Sequence, residues 1–134
     1  MIPPRPQPDV NEISQGYWDG AKQHKLVIQQ CGDCSTFIHF PMALCPNCQS
    51  ENLGFTEVSG RGTVYSFAIV HQNFHPAFTP PYVIALTDLD DAPGIRMYTN
   101  ILDVKPEAVE IGMPVQATFE DIGEGTVLPQ FKPV

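Results

Sequence analysis

Basic residues are scarce in this chain: Lys and Arg number 7 against 15 Asp and Glu, for a formal net charge of −8. They gather into no patch, and nucleic-acid surfaces depend on neutralising phosphates with Lys and Arg, so a duplex or single-strand partner is disfavoured. Long apolar runs are also missing. Nothing approaches the roughly 20 residues of a membrane-spanning helix, and the opening MIPPRPQPDV holds no apolar leader core. A cytoplasmic address is the expectation. Catalytic signatures are thin as well. Ser14, Ser35, Ser50, Ser59 and Ser66 lie in no nucleophile-elbow context, and Gly60-Arg61-Gly62 is not a phosphate loop. That triplet reads as a bend into a strand. Asp90-Asp91 and Glu120-Asp121 fall where a turn and a strand end would put solvated carboxylates. No internal repeat appears, and the one biased stretch is the proline arm from Pro3 to Pro8.

Cysteine is sparse too, but its placement is informative. All 4 cysteines fall in two C-x2-C pairs, Cys31-Gly32-Asp33-Cys34 and Cys45-Pro46-Asn47-Cys48. Gly32, Asp33, Pro46 and Asn47 are turn formers that let the backbone curl beneath a metal, so each pair presents two sulfurs on one side. The alternative of two disulfides suits a secreted framework, which rarely spaces cysteines this way. Four thiolates leave no open position for water, so the sequence predicts one structural Zn2+ held by Cys31, Cys34, Cys45 and Cys48, a rubredoxin-like zinc ribbon. A thiolate committed to zinc is not free to pair with His24, His39, His71 or His75 as a nucleophile. The loaded site keeps a net negative charge, which makes the chain more acidic still.

In chain order, Asp9 is a candidate cap for a helix running to about His24, with Ile13, Tyr17 or Trp18, and Ala21 at helical spacing. Gly16 and Gly20 predict that it is broken or kinked. Lys25–Gln30 and Leu53–Ser59 read as strands entering and leaving the knuckles, with Thr36–Phe40 a short strand between them. A β-rich pattern follows: Arg61–Gln72, Tyr82–Leu89, Ile95–Leu102, Val115–Asp121 and Val127–Lys132. Lys105–Glu110, with Pro at a first helical position and Gly112 beyond, supplies a short helix between the third and fourth of these strands. That is the element order of a five-stranded OB-fold barrel, and closure would remove its edges. The predicted fold is therefore mainly β. Residues 1–24 form an arm and helix, 25–57 the ribbon and 58–134 the barrel, with ribbon and barrel holding separate apolar sets.

Two groups of aromatics are candidate contacts. Tyr17 and Trp18 sit on a leading helix that offers little core of its own, so they are candidates either to cover the chain's core or to dock on a partner. The segment His71–Pro81 (HQNFHPAFTPP) is long for a link between barrel strands. Its His71, Phe74, His75 and Phe78 make it a candidate binding loop, or a plug for the barrel mouth. Arg61 is a candidate anion contact.

The order of motifs resembles a known family over about residues 12–133. It comprises Tyr17-Trp18, CGDC and CPNC, SGRGTVYSF (59–67), HPAF (75–78), PYVIALTDLD (81–90), IGMPV (111–115), VQATFED (115–121) and LPQFKP (128–133). These are the small zinc-ribbon plus OB-fold proteins that accompany thiolase-like enzymes of acyl-CoA metabolism. The resemblance implies complexes with thiolases, lipid-transfer-protein-type aldolases acting on steroid side chains, acyl-CoA hydratases or polyketide-type acyltransferases. It further implies that such a subunit lacks catalytic residues and supports its partner while helping to position an acyl-CoA. Some members have lost the cysteines; this chain keeps all four. The expected function is a non-catalytic accessory subunit of a thiolase-superfamily complex, a hetero-oligomer with a thiolase-like or aldolase subunit. The rivals are a stand-alone acyl-CoA or acyl-chain binding module and, against the charge, a single-strand nucleic-acid binder.

Overall fold

Helix α1 (Gln15–Lys22) is shorter and later than its periodicity suggests. The computed structural model describes residues 5–134, so Pro3 and Pro4 of the proline arm lie outside the described residues. Asp9 caps nothing here. Instead Asn11 Oδ1 accepts from Ser14 N at 2.9 Å while Asn11 N donates to Ser14 Oγ at 3.3 Å, and this reciprocal pair starts the helix one turn downstream. Ile13 is left exposed, whereas Tyr17, Trp18 and Ala21 turn inward. The helix runs unbroken through both glycines, which let it approach the ribbon. A Cβ on Gly16 would lie 2.5 Å from the Phe55 ring, and one on Gly20 would lie 2.7 Å from Val27.

Strands β1 (Val27–Cys31), β2 (Phe37–Ile38) and β3 (Leu53–Glu57) form an antiparallel sheet in the order β2-β1-β3. Gln29 stands opposite both Ile38 and Phe55. The second sheet runs β6-β5-β4-β7-β8, from β4 (Arg61–Val70), β5 (Tyr82–Leu89), β6 (Arg96–Asn100), β7 (Pro114–Gly123) and β8 (Thr126–Pro133). Gly60, just before β4, has φ +80°, and a Cβ added there would meet Ala117 at 2.9 Å, so the bend into the barrel requires glycine. A bulge between Val64 and Ser66 lets β4 keep pairing with β5 while its first residues pair with β7. The expected helix before β7 is one 3-10 turn, Pro106–Ala108, with Pro in its first turn.

Strand order and direction are those of an OB-fold, but the barrel closes less completely than the sequence suggests. Its edge strands β6 and β8 meet in one parallel bridge, Ile101 to Phe131, beside which Leu102 N donates to Phe131 O at 2.7 Å. A side chain takes over the next position: Gln130 Oε1 accepts from Asn100 N at 2.7 Å. Further along, the strands part, and Tyr17 and Trp18 of α1 border the gap.

The apolar sets of ribbon and barrel are not separate either. Tyr17, Trp18, Leu26, Ile28 and Val58 join Val64, Val83, Met97, Val115 and Phe131 in one buried cluster. A second, small cluster of Ile38 and Leu53 surrounds the cysteines. The reason is connectivity: α1 packs on both β1 and β8, so the helix joins the ribbon's first strand to the barrel's last.

Candidate functional site: a four-sulfur metal centre and an aromatic cleft

Both cysteine pairs fold by one local rule. Ser35 N donates to Cys31 O at 3.0 Å, and Gln49 N donates to Cys45 O at 2.8 Å. Cys31 N donates to Thr36 O and Cys45 N to Ser50 O, at 2.9 and 3.0 Å. The residue after each pair, Ser35 and Gln49, has φ 64°. These are two copies of one knuckle facing each other. Asp33 ties them together, accepting from Ser50 Oγ and from Asn52 Nδ2, bonds that hold its carboxyl below the usual range. Gly32 is needed at this join, since a Cβ there would lie 2.6 Å from Asn52 Nδ2.

The result brings all four sulfurs within 4.8 Å of one another, with Cys31–Cys48 and Cys34–Cys45 at 3.6 Å. Sulfurs about 2.3 Å from a tetrahedral zinc stand about 3.8 Å apart, so the geometry fits the ion and does not fit disulfides. Without a cation the two rim sulfurs differ in how readily they ionise. Thr36 and Asn47 pull the Cys34 thiol down to about 6, while Cys48, despite a Ser50 N–H, is pushed up to about 12 by the sulfurs around it. Cys31 and Cys45 are buried and Cys48 is exposed at the rim. Cys31, Cys34, Cys45 and Cys48 are thus positioned to bind one metal ion, and the site is closed.

The other candidates do not converge. Tyr17 and Trp18 are 5% and 8% exposed and meet edge to face at 4.9 Å, so they cover the chain's own core rather than standing free for a partner. The His71–Pro81 loop splits. Phe78 folds back between His75 and Tyr82, with Arg5 above its ring at 5.3 Å, whereas Phe74 projects 71% exposed. His75 Nδ1 accepts from Ala77 N at 3.0 Å, which spends it on the loop's own turn, and His71 is exposed. Arg61 is exposed, its carbonyl accepting from Asp90 N at 2.9 Å. Asp91, next in that turn, accepts from Ser59 N at 2.8 Å, so one of the turn carboxylates is structural.

Sequence reasoning missed a second feature. His39 and Phe40 turn from the ribbon toward β6 and β8, and with Tyr17, Trp18, Tyr98 and Thr99 they border a cleft of about 370 Å³. Burial pushes His39 down to about 4, so its imidazole is neutral near pH 7. The one local signal was Tyr98, an aromatic on the outward phase of β6 beside Arg96.

Residues 18–54 match the profile "ChsH2, rubredoxin-like zinc ribbon domain", and residues 55–120 match "ChsH2, C-terminal OB-fold domain". The chain is 40% identical over 129 residues to a "Probable enoyl-CoA hydratase alpha subunit" of Thermomonospora curvata, covering 96% of this chain and 40% of that protein. It is 36% identical to a "DUF35 domain-containing scaffold protein" of Methanocaldococcus jannaschii, over 84% of each. A "Benzoylsuccinyl-CoA thiolase subunit BbsA" of Geobacter metallireducens is 29% identical, over 70% of this chain and 59% of that one. Among solved structures, the "Ltp2-ChsH2(DUF35) aldolase" contains a chain that superposes with TM-score 0.87 at 38% identity, over 95% of this chain and 98% of that one. With both modules matched in order and a scaffold protein matched over most of its length, the chain belongs to the DUF35 family of ChsH2-type zinc-ribbon plus OB-fold proteins.

Proposed function

We propose that this chain is a non-catalytic accessory subunit, or the corresponding module of a larger subunit, in a thiolase-superfamily complex acting on acyl-CoA thioesters. The observation that carries the reading is the superposition, over nearly its whole length, on a chain of an aldolase complex. The names of its relatives point the same way: a hydratase subunit, a thiolase subunit and a scaffold protein. Its own reactive groups support a supporting role. Every thiol belongs to the four-sulfur site, which a zinc ion would make rigid without offering it an open coordination position. His24 stacks on Phe119 at 5.2 Å, His39 is enclosed, and His75 serves its own loop. Among the described residues no histidine is hydrogen-bonded to a hydroxyl or thiol, and the one hydroxyl bonded to a carboxylate, Ser50 on Asp33, serves to join the two knuckles. Phe74 and His71, exposed on a loop stiffened by prolines, are candidates to meet an enzyme subunit.

The test is co-expression with a thiolase-like or aldolase-type protein from the same organism, followed by size-exclusion chromatography and acyl-CoA assays of each chain alone and together. Co-elution, with turnover that requires the partner, supports the reading. Turnover by the purified chain alone, abolished by a substitution in it, would overturn it.

A further inference from the structure

The stretch ahead of α1 lies along the barrel. Arg5, Gln7 and Pro8 are half-buried there, and Pro6 and Pro8 favour an extended backbone. Arg5 is the point of attachment. Its Nη1 donates to Glu120 Oε1 on β7 at 2.7 Å, and its guanidinium carbon lies 5.3 Å from the centre of the Phe78 ring. One side chain therefore touches both a barrel strand and the loop 71–81. The Glu120 end is itself anchored. The same Oε1 accepts from Gln130 Nε2 at 3.2 Å, and buried Gln130 is the side chain that bridges β8 to Asn100 of β6. The loop end has no such anchor. Among the described residues, the hydrogen bonds of 71–81 are made to itself: Ala77 N donates to His75 Nδ1 and Phe78 N to His75 O, each at 3.0 Å.

We propose that the arm is a strap across the barrel, that Arg5 is its clasp, and that it holds the loop 71–81 turned back with Phe78 inward. The loop then has two positions. Strapped, it shows solvent a 71% exposed Phe74 while Phe78 stays half-buried; released, it frees both rings. Release is within reach because the clasp is weak. The Arg5 and Glu120 side chains remain 31% and 25% exposed, so water screens their ion pair, and the contact with the Phe78 ring adds a similar small amount. Contacts of this kind each change an equilibrium by a factor of about 2–5, enough to bias a loop and too little to fix it. The strap follows from the chain's own geometry. Its consequence, that it sets how much aromatic surface the loop offers to an enzyme subunit, rests on the accessory role proposed above.

Amide hydrogen exchange of the zinc-loaded full chain, read residue by residue by NMR, tests the strap. Ala77 and Phe78 report on it, because their amides are bonded within the loop and exchange when it opens. Asn100 and Leu102, whose amides tie β6 to β8, are the controls. Arg5→Ala should speed exchange at the two loop amides about fivefold and leave the controls unchanged. Glu120→Gln keeps an oxygen for Gln130 but offers Arg5 no charge, so it should speed the same loop amides about twofold from its place on β7. The double variant should match Arg5→Ala alone, since both substitutions act through one clasp. Raising NaCl from about 0.05 M to about 1 M should speed the loop amides of wild type and not those of Arg5→Ala. Loop exchange unmoved by Arg5→Ala, equal acceleration at the controls, or single effects that multiply in the double variant would overturn the proposal. Unmoved exchange in a chain that co-elutes with its enzyme subunit would remove the strap and leave the accessory role standing. The predicted exchange pattern in a chain that never co-elutes would do the reverse.

Discussion

Replacing Trp18 by Ala distinguishes a docking residue from a core residue, and the structure gives the size of the effect. Trp18 is 8% exposed, lies edge-on to Tyr17 at 4.9 Å and stands 6.1 Å from Phe40, within the cluster that joins ribbon to barrel. Truncating a buried Trp costs about 3–5 kcal/mol in lost burial and residual cavity. Some is recovered because the variant no longer buries the orphaned Nε1, a group whose burial costs about 1–3 kcal/mol. The net destabilisation is about 2–3 kcal/mol, a large part of the roughly 5–15 kcal/mol that holds a domain of this size. At about 3–5 °C per kcal/mol, the thermal midpoint should fall by about 10 °C. Trp18→Phe keeps most of the ring and removes the orphan, so it should cost about 1 kcal/mol or less. Urea unfolding of zinc-loaded protein, followed by far-ultraviolet dichroism, measures both. A Trp18→Ala chain as stable as wild type that no longer co-elutes with an enzyme subunit would show that the indole faces a partner, and would refute the core assignment.

Metal analysis of protein purified without added metal should find one zinc per chain, and Cys45→Ser should lose it. Because Leu26 and Ile28 belong to the shared core, that loss should lower amide protection in the barrel as well as in residues 26–55, as hydrogen exchange would reveal. His39 gives stability a pH dependence. Burial lowers its pKa to about 4 against an unfolded value of about 6.5, so the unfolded chain binds the extra proton first. Its contribution is complete above pH 6.5 and is lost as pH falls through 4. It amounts to about 3 kcal/mol, which urea titrations of wild type and His39→Gln at pH 7 and pH 4 should separate. Phe74→Ala, at an exposed site, should leave folding within about 0.5 kcal/mol of wild type and weaken assembly by about 1–2 kcal/mol if the loop meets the enzyme subunit; calorimetry reads both. His75→Ala should leave co-elution intact and change the partner's apparent substrate affinity, and unaltered kinetics would reduce the loop to packing.

What the sequence determined by itself is what neighbouring residues decide among themselves. Each C-x2-C pair closes through bonds spanning four or five residues, so the knuckles and their four sulfurs follow from spacing alone. The run Tyr82–Leu89 alternates buried and less buried residues from end to end, and the structure places β5 on those same residues. The proline before Glu107 likewise marks the 3-10 turn. The order of these pieces was enough to suggest the family. What only the tertiary structure decided depends on segments far apart in the chain. Trp18 has no fate until α1 settles on β8, about a hundred residues later, and the helix is read as an appendage until then. Closure of the barrel is equally non-local. β6 and β8 each look like a complete strand in sequence, and whether their free edges meet depends on what stands between them. Thr99 looks like an ordinary residue of β6, and His39 like an ordinary residue just after β2. Their buried Oγ1 and Nδ1 atoms are left without a partner only once the distant elements around each have packed, because satisfaction is a property of all of an atom's surroundings at once.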